Sequence, residues 1–224
     1  MPELVAGVSV DSSSAIKPTE KLPMDCVYHK CRQLRYTQLY VYLIEWEPGL
    51  RTISYVGHYK YDRSLSARYN KRDICICFPR LIWAVSIMNF SVYRVVPIMI
   101  SNPFLMAGLD TLAFAPPVPN LTYNHFLCLG NFNYSREKSN ADAVDKLMLF
   151  LNTSVWNDDI PYGFKVMRSL GLKGINDWAK KSNSKKGAEL WKKMIPCEYH
   201  NIRRNGTGFQ VITVGDIVKT MLRS

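Results

Sequence analysis

Three prolines within four positions, Pro116, Pro117 and Pro119 of the stretch APPVPNLTYNHFLCLGNF (115–132), constrain this chain more than any other feature. Proline fixes φ and lacks a backbone donor, so the stretch can be neither a helix interior nor a central strand, and a stiff, extended turn is predicted. The turn also divides the chain by periodicity. Before it, TQLYVYLIEWE and RTISYVGHYKY alternate with period two around a Pro-Gly turn and read as a β-hairpin. DICICFPRLIWAVSI and FSVYRVVPIMI follow, meeting at a tight turn around Met88 and Asn89, so an antiparallel meander of about four strands is expected. After it, Ala141, Val144, Leu147, Met148, Leu151 and Val155 share one face at helical spacing, and Ser139 or Asn140 stands ready to cap. This predicts an α+β domain in which a helix over about 140–155 packs behind the proline-cysteine segment.

A chain of 224 residues suits one domain with an extension. The expected division is a flexible lead-in over 1–23, a main domain over 24–163 and a basic C-terminal extension over 164–224. That extension carries a strand-like FQVITV and a helix-like GDIVKTMLRS. No run of eighteen apolar residues exists, since Phe78 to Ile100 is broken by Arg80, Asn89, Arg94 and Pro97, so no membrane association is expected. The opening residues lack a basic segment followed by an apolar one, and six cysteines without such a signal read as free thiols in a reducing, cytoplasmic setting. The net charge of +11 favours an acidic partner, either an acidic protein or nucleic acid, at Lys180, Lys181, Lys185 and Lys186. A lysine-rich stretch is more often a solvated helix face, and Trp178 and Trp191 are more often packed than stacked on bases.

The chemistry centres on Cys128, which is flanked by Leu127 and Leu129 and lies eight residues after Asn120. A cysteine between leucines is usually buried and inert. A thiol that accepts an acyl group must instead be reachable, must ionise, and needs a donor aimed at the oxygen that becomes an oxyanion when an amine attacks. An asparagine amide on a proline-stiffened turn is such a donor. His125, three residues from the cysteine, belongs on the opposite face of a strand-like segment and is expected to be exposed or structural. Cys26, His29 and Cys31, or Cys75 and Cys77 with His58, lack a zinc signature, so neither metal nor cofactor is expected. Cys75 and Cys77, alternating on a strand, read as core.

Four strands, a Pro-Asn turn, an apolar-Cys-Leu segment and an amphipathic helix, in that order, resemble the ubiquitin-conjugating enzyme fold. That family carries a His-Pro-Asn turn whose asparagine stands eight residues before a catalytic cysteine followed by leucine, matching Val118-Pro119-Asn120 and Cys128-Leu129 here. FPRLIWAVSIMNFSVYRV and DTLAFAPPVPNLTYNHFLCLGNF look closest to the PRTRC-system protein B family, a bacterial, conjugating-enzyme-like branch. The resemblance covers about residues 24–163. It implies a thioester to a ubiquitin-like protein on Cys128, an oxyanion donor in Asn120, and help for the acceptor amine from Asp158 or Asp159. The implied partners are a ubiquitin-like protein and a ThiF-like adenylating enzyme. The sequence departs from the wider family at Val118, His125 and Gly130, and lacks the basic N-terminal helix before Asp25. Two alternatives stay open: an idle scaffold of the same fold that binds a ubiquitin-like protein, and a plasmid- or phage-associated nucleic-acid-binding accessory protein.

Overall fold

The computed structural model describes residues 21–57, 71–157, 159–183, 190–191 and 212–223. Alternating β-branched and aromatic residues build six strands before the proline turn: β1 (Cys26–Gln33), β2 (Gln38–Trp46), β3 (Gly49–Val56), β4 (Arg72–Phe78), β5 (Leu81–Met88) and β6 (Ser91–Met99). Four of them form an antiparallel sheet in the order β1-β2-β5-β6. Along β2, Leu39, Val41 and Leu43 enter one apolar cluster while Tyr42, Ile44 and Trp46 enter another. Period-two alternation with apolar residues on both sides means that both faces of this sheet are covered.

A four-stranded antiparallel sheet is therefore present, but it is not the expected meander, because β2 and β5 are neighbours without being consecutive. The turn at Pro48-Gly49 does not close a hairpin, because β2 and β3 belong to different sheets. DICICFPRLIWAVSI is likewise two strands, broken at Pro79-Arg80, where the chain returns from one sheet to the other. Strands β3 and β4 pair antiparallel and are joined by β7 (Val155–Asn157), which runs parallel to β3. The tight turn between β5 and β6 sits one residue later than expected. Asn89 and Phe90 occupy it with φ of 53° and 61°, the mirror-image turn whose twist suits a two-residue hairpin.

One face of the large sheet packs against the smaller sheet, the cysteine segment and α2 (Asn140–Thr153). Ser139 caps α2 by accepting from the Asp142 N–H, as the sequence predicts, but the helix ends before Val155, which is strand instead. The same face takes Phe164 and Met167 of α3 (Pro161–Ser169) and Ile175 and Trp178 of α4 (Ile175–Ser182). The other face takes Phe104 of the single-turn α1 (Phe104–Ala107) and one side of α5 (Val214–Arg223). A reciprocal cap starts α5: Thr213 Oγ1 accepts from the Asp216 N–H while the Asp216 carboxylate accepts from the Thr213 N–H. The boundary expected at 163/164 thus falls inside α3, and described residues beyond it help to build both apolar clusters. Of the expected strand FQVITV, Phe209 to Val211 lie outside the described residues, and Thr213 bridges Leu112.

Cys75 and Cys77 are not core. Ile74, Ile76 and Phe78 point inward, leaving the two thiols half-buried on the outer side. Trp178 is fully buried and stacks edge-on with Trp191 at 5.5 Å, in line with packing rather than base stacking. Among the described residues no helix is long and apolar enough to cross a membrane.

Candidate active site

The spacing of eight between Asn120 and Cys128 is the span of a small hairpin. Leu121 and Leu127 bridge antiparallel, Thr122 N–H donates to Phe126 C=O at 2.9 Å, and Cys128 N–H donates to Asn120 C=O at 2.9 Å. The loop has three residues, Tyr123 to His125, and His125 N–H returns to Thr122 C=O at 2.9 Å. Such a loop needs a left-handed residue at its end, and His125 supplies it with φ of 62°. His125 is buried, its ring edge-on to Tyr162 at 5.2 Å, so it is a structural residue and not an exposed one. Leu127 N–H donates to Val95 C=O at 2.9 Å, anchoring the hairpin to the edge of β6.

The two leucines flanking Cys128 are buried while Cys128 itself is exposed, so the thiol is reachable. Asn120 also adopts a left-handed backbone, φ 61°, which asparagine tolerates better than other side-chain-bearing residues. Helix α3 holds this corner from behind. A Cβ on Gly163 would collide with the Val118 carbonyl, so only glycine lets the helix seat against the turn.

Opposite the cysteine lies β7. Asn157 N–H donates to Asn120 Oδ1 at 3.3 Å, which orients the amide and leaves Nδ2 as its donor. Asn157 Nδ2 in turn donates to the Asp159 carboxylate at 2.7 Å, and Asp159 N–H returns to Asn157 Oδ1 at 3.3 Å. A continuous chain of hydrogen bonds therefore links Asn120 to Asp159 through Asn157. Asp158, the other acidic candidate, lies outside the described residues.

Between the hairpin and β7 runs a cleft of about 350 Å³, lined by Asn120, Cys128, Gly130, Asn131 and Asn157 together with Leu127, Leu129, Phe150, Val155 and Trp156. Among the described residues no charged side chain lines it. Tyr134 stands close by, its ring edge-on to Phe132 at 5.0 Å. Burial first, and then the negative charge of a Cys128 thiolate, push its phenol above the ordinary value. Cys26 is the contrasting thiol: burial raises it from 9.0 to about 11, against weaker lowering by backbone donors.

The structure brings Asn120 and Cys128 to one cleft and ties Asp159 to its wall through Asn157. It adds Asn157, Tyr134 and Gly163, none of which the sequence pattern singles out. Asn157 stands beside the acidic pair in WNDDIP and Tyr134 follows the cysteine by six, but neither carries a spacing rule that identifies it alone. Of the four lysines, Lys180 is exposed on α4, Lys181 on the same helix pairs with Asp177 at 2.9 Å, and Lys185 and Lys186 lie outside the described residues. No cluster of three metal-ligating side chains occurs among the described residues. No family model, curated protein or solved structure matches the chain.

Proposed function

We propose that this protein is a conjugating-enzyme-like acyl carrier, holding the C-terminal carboxyl of a ubiquitin-like protein as a thioester on Cys128 and passing it to an amine. The observation that supports it most is the exposure of Cys128 in a cleft that it shares with Asn120. An idle scaffold of the same fold would be favoured by a buried Cys128, and the exposure removes that ground. In the loading step the Cys128 thiolate attacks the carbonyl of an acyl adenylate supplied by a ThiF-like adenylating enzyme; the S–C bond forms and adenylate leaves.

In the discharge step an amine nitrogen attacks the thioester carbonyl, and negative charge gathers on its oxygen. Asn120 Nδ2 donates to that oxygen. Asp159, or Asp158, takes the amine proton, and Cys128 departs as thiolate. The Asn157 bridge keeps both ends of this machinery in register, since its backbone holds Asn120 and its side chain holds Asp159. Exposed Lys165 and Arg168 on α3, Lys173 in the connection and Lys180 on α4 would receive an acidic partner, consistent with the net charge of +11.

The test uses the cognate adenylating enzyme, ATP and ubiquitin-like protein. Wild type is expected to form an adduct that a reducing thiol removes, and Cys128→Ala to form none. Asn120→Ala should still charge, yet discharge to amines roughly 10²- to 10³-fold more slowly, because the donor acts where charge develops. Charging that survives Cys128→Ala would move the nucleophile elsewhere.

A further inference from the structure

The edge of β7 that faces the cleft carries free main-chain groups. Within a strand, the N–H and C=O of one residue point to the same side, and successive residues alternate. On β4, Cys77 N–H donates to Ser182 Oγ at 2.8 Å and Cys77 C=O accepts from Trp178 Nε1 at 3.0 Å, so Cys77 faces α4 and its neighbours Ile76 and Phe78 face β3. Their partners on β3 are Arg51 and Gly49, and by alternation Ile53 and Tyr55 also bond to β4. Ser54 and Val56 are left to bond to β7. In a parallel ladder these two bracket the pair Tyr55–Trp156, so Trp156 makes the bonds to β3 while Val155 and Asn157 face away.

The Asn157 N–H confirms that direction, since it donates to Asn120 Oδ1. The Val155 N–H and C=O have no hydrogen-bond partner among the described residues, and Val155 is 42% exposed at the cleft wall.

We infer that Val155 is the docking point for an extended, uncharged peptide segment that adds to β7 as a parallel strand with its carboxyl end at Cys128. This rests on the acyl-carrier reading given above. The direction follows from the fold: β7 runs from Val155 toward Asn157, which is tied to Asn120 and through it to Cys128. A chain whose carboxyl end reaches the thiol must run the same way. In parallel pairing the Val155 N–H donates to one peptide carbonyl, and the Val155 C=O accepts from the amide two residues further on. Val155 and Asn157 lie roughly 6.6 Å apart along a strand, so that amide belongs within about two residues of the reacting carbonyl.

The occupant's chemistry follows from the walls. The described lining holds no charged side chain, so a charged residue pays its desolvation there without an ion partner among the described residues. A volume of about 350 Å³ admits a few small residues. Asn131 offers both a donor and an acceptor and Asn120 its Nδ2 donor, which suits peptide units rather than a charged group. Recognition at Val155 reads main chain, so it selects for an extended conformation and for a particular N–H, not for a side chain.

The probe is acetyl-Leu-Ala-Gly-Gly-amide, titrated into the ¹⁵N-labelled full chain, with analogues N-methylated at one amide at a time. The Val155 amide resonance should move on titration, and one analogue should lose about fivefold in affinity, as expected for one hydrogen bond. Val155→Pro deletes the outward N–H alone; Ser154, at φ −69° and ψ 159°, already has the conformation that precedes proline. That variant should lose a similar factor. An unmoved Val155 amide, or equal affinity for every analogue, overturns the docking proposal, and because the analogue scan uses the native chain this holds even if Val155→Pro does not fold. The benzyl thioester of the same peptide separates the two readings. Docking at Val155 without acylation of Cys128 would reject the acyl carrier and keep the edge, whereas acylation indifferent to N-methylation would keep the carrier and reject the edge.

Discussion

The smaller sheet ends in two edges that are treated in opposite ways. At β4 the edge is sealed by α4: Ser182 Oγ accepts from Cys77 N–H, Trp178 Nε1 donates to Cys77 C=O, and Asn183 Nδ2 reaches Cys75 C=O at 3.5 Å. At β7 a single side chain, Asn120, takes one N–H, and the next free pair at Val155 faces the cleft. Buried main-chain groups need partners, so the sealed edge is what packing against α4 requires. An edge left open on a soluble surface invites pairing, and evolution usually blunts it. Here the unsealed edge is three residues long and lies beside the exposed thiol, so its openness is confined to the cleft.

Breaking the seal should produce the largest effect. Trp178→Ala removes a fully buried indole from between Phe78 and Trp191 and leaves Cys77 C=O without its donor. We expect a loss of about 3–5 kcal/mol by denaturant unfolding, with accelerated amide exchange along β4. Val155→Thr on the open edge should stay within about 0.5 kcal/mol, since its side chain is exposed and its main chain bonds to nothing described. Equal costs at the two sites would erase the distinction between sealed and open edges.

A smaller effect tests the corner that the open edge serves. Gly163→Ala forces a methyl into the Val118 carbonyl, and since both are backbone-held, α3 or the Val118-Pro119-Asn120 turn must move. Overpacking of this kind costs about 1–3 kcal/mol. The expected signature is discharge from Cys128 slowed about tenfold or more with charging nearly intact, because a misplaced donor matters most in the second step. Impaired charging and discharge to the same degree would mean that Gly163 supports the hairpin as a whole.

Much of this was legible before the structure. The prolines announced the irregular segment, the change of period announced α2 with its Ser139 cap, and the Asn-to-Cys spacing pointed to the pair that now shares a cleft. What the pattern did not reveal was partnership. A strand such as β3 reads the same whether it pairs with β2 or with β4 and β7, because alternation reports which side chains are apolar and not which neighbour covers them. The Pro48-Gly49 and Pro79-Arg80 breaks therefore looked like a hairpin turn and an interior irregularity, when both are crossings between sheets. Periodicity likewise carried Val155 into the helix, since a three-residue strand is too short to establish a period of its own. Cys128 between two buried leucines had a bland reading as a core thiol; strand alternation puts it on the opposite side from them, and the exposure followed from that.

The gentlest way to sharpen the contrast is acid. Asp177 lies in the first turn of α4, where burial alone would raise its pKa, but the Lys173 N–H, 2.9 Å from the carboxylate, and the Lys181 ammonium outweigh that and hold it below the ordinary value. A carboxyl with a depressed folded-state pKa stabilises the fold above its unfolded value, and that contribution is lost as pH falls through the folded value. The loss should therefore begin below about pH 4, near the free aspartate value, and should fall on α4 and so on the seal over β4. Among the described residues no charged side chain lines the wall of the cleft at Val155. Amide exchange, corrected for its intrinsic pH dependence, should then rise at Cys77 as pH is lowered while Val155 stays at its already fast rate. In Asp177→Asn the Cys77 exchange should be raised at neutral pH and lose most of its acid response. An unchanged acid response in that variant would assign the loosening of the sealed edge to another group and leave α4 as a purely apolar cover.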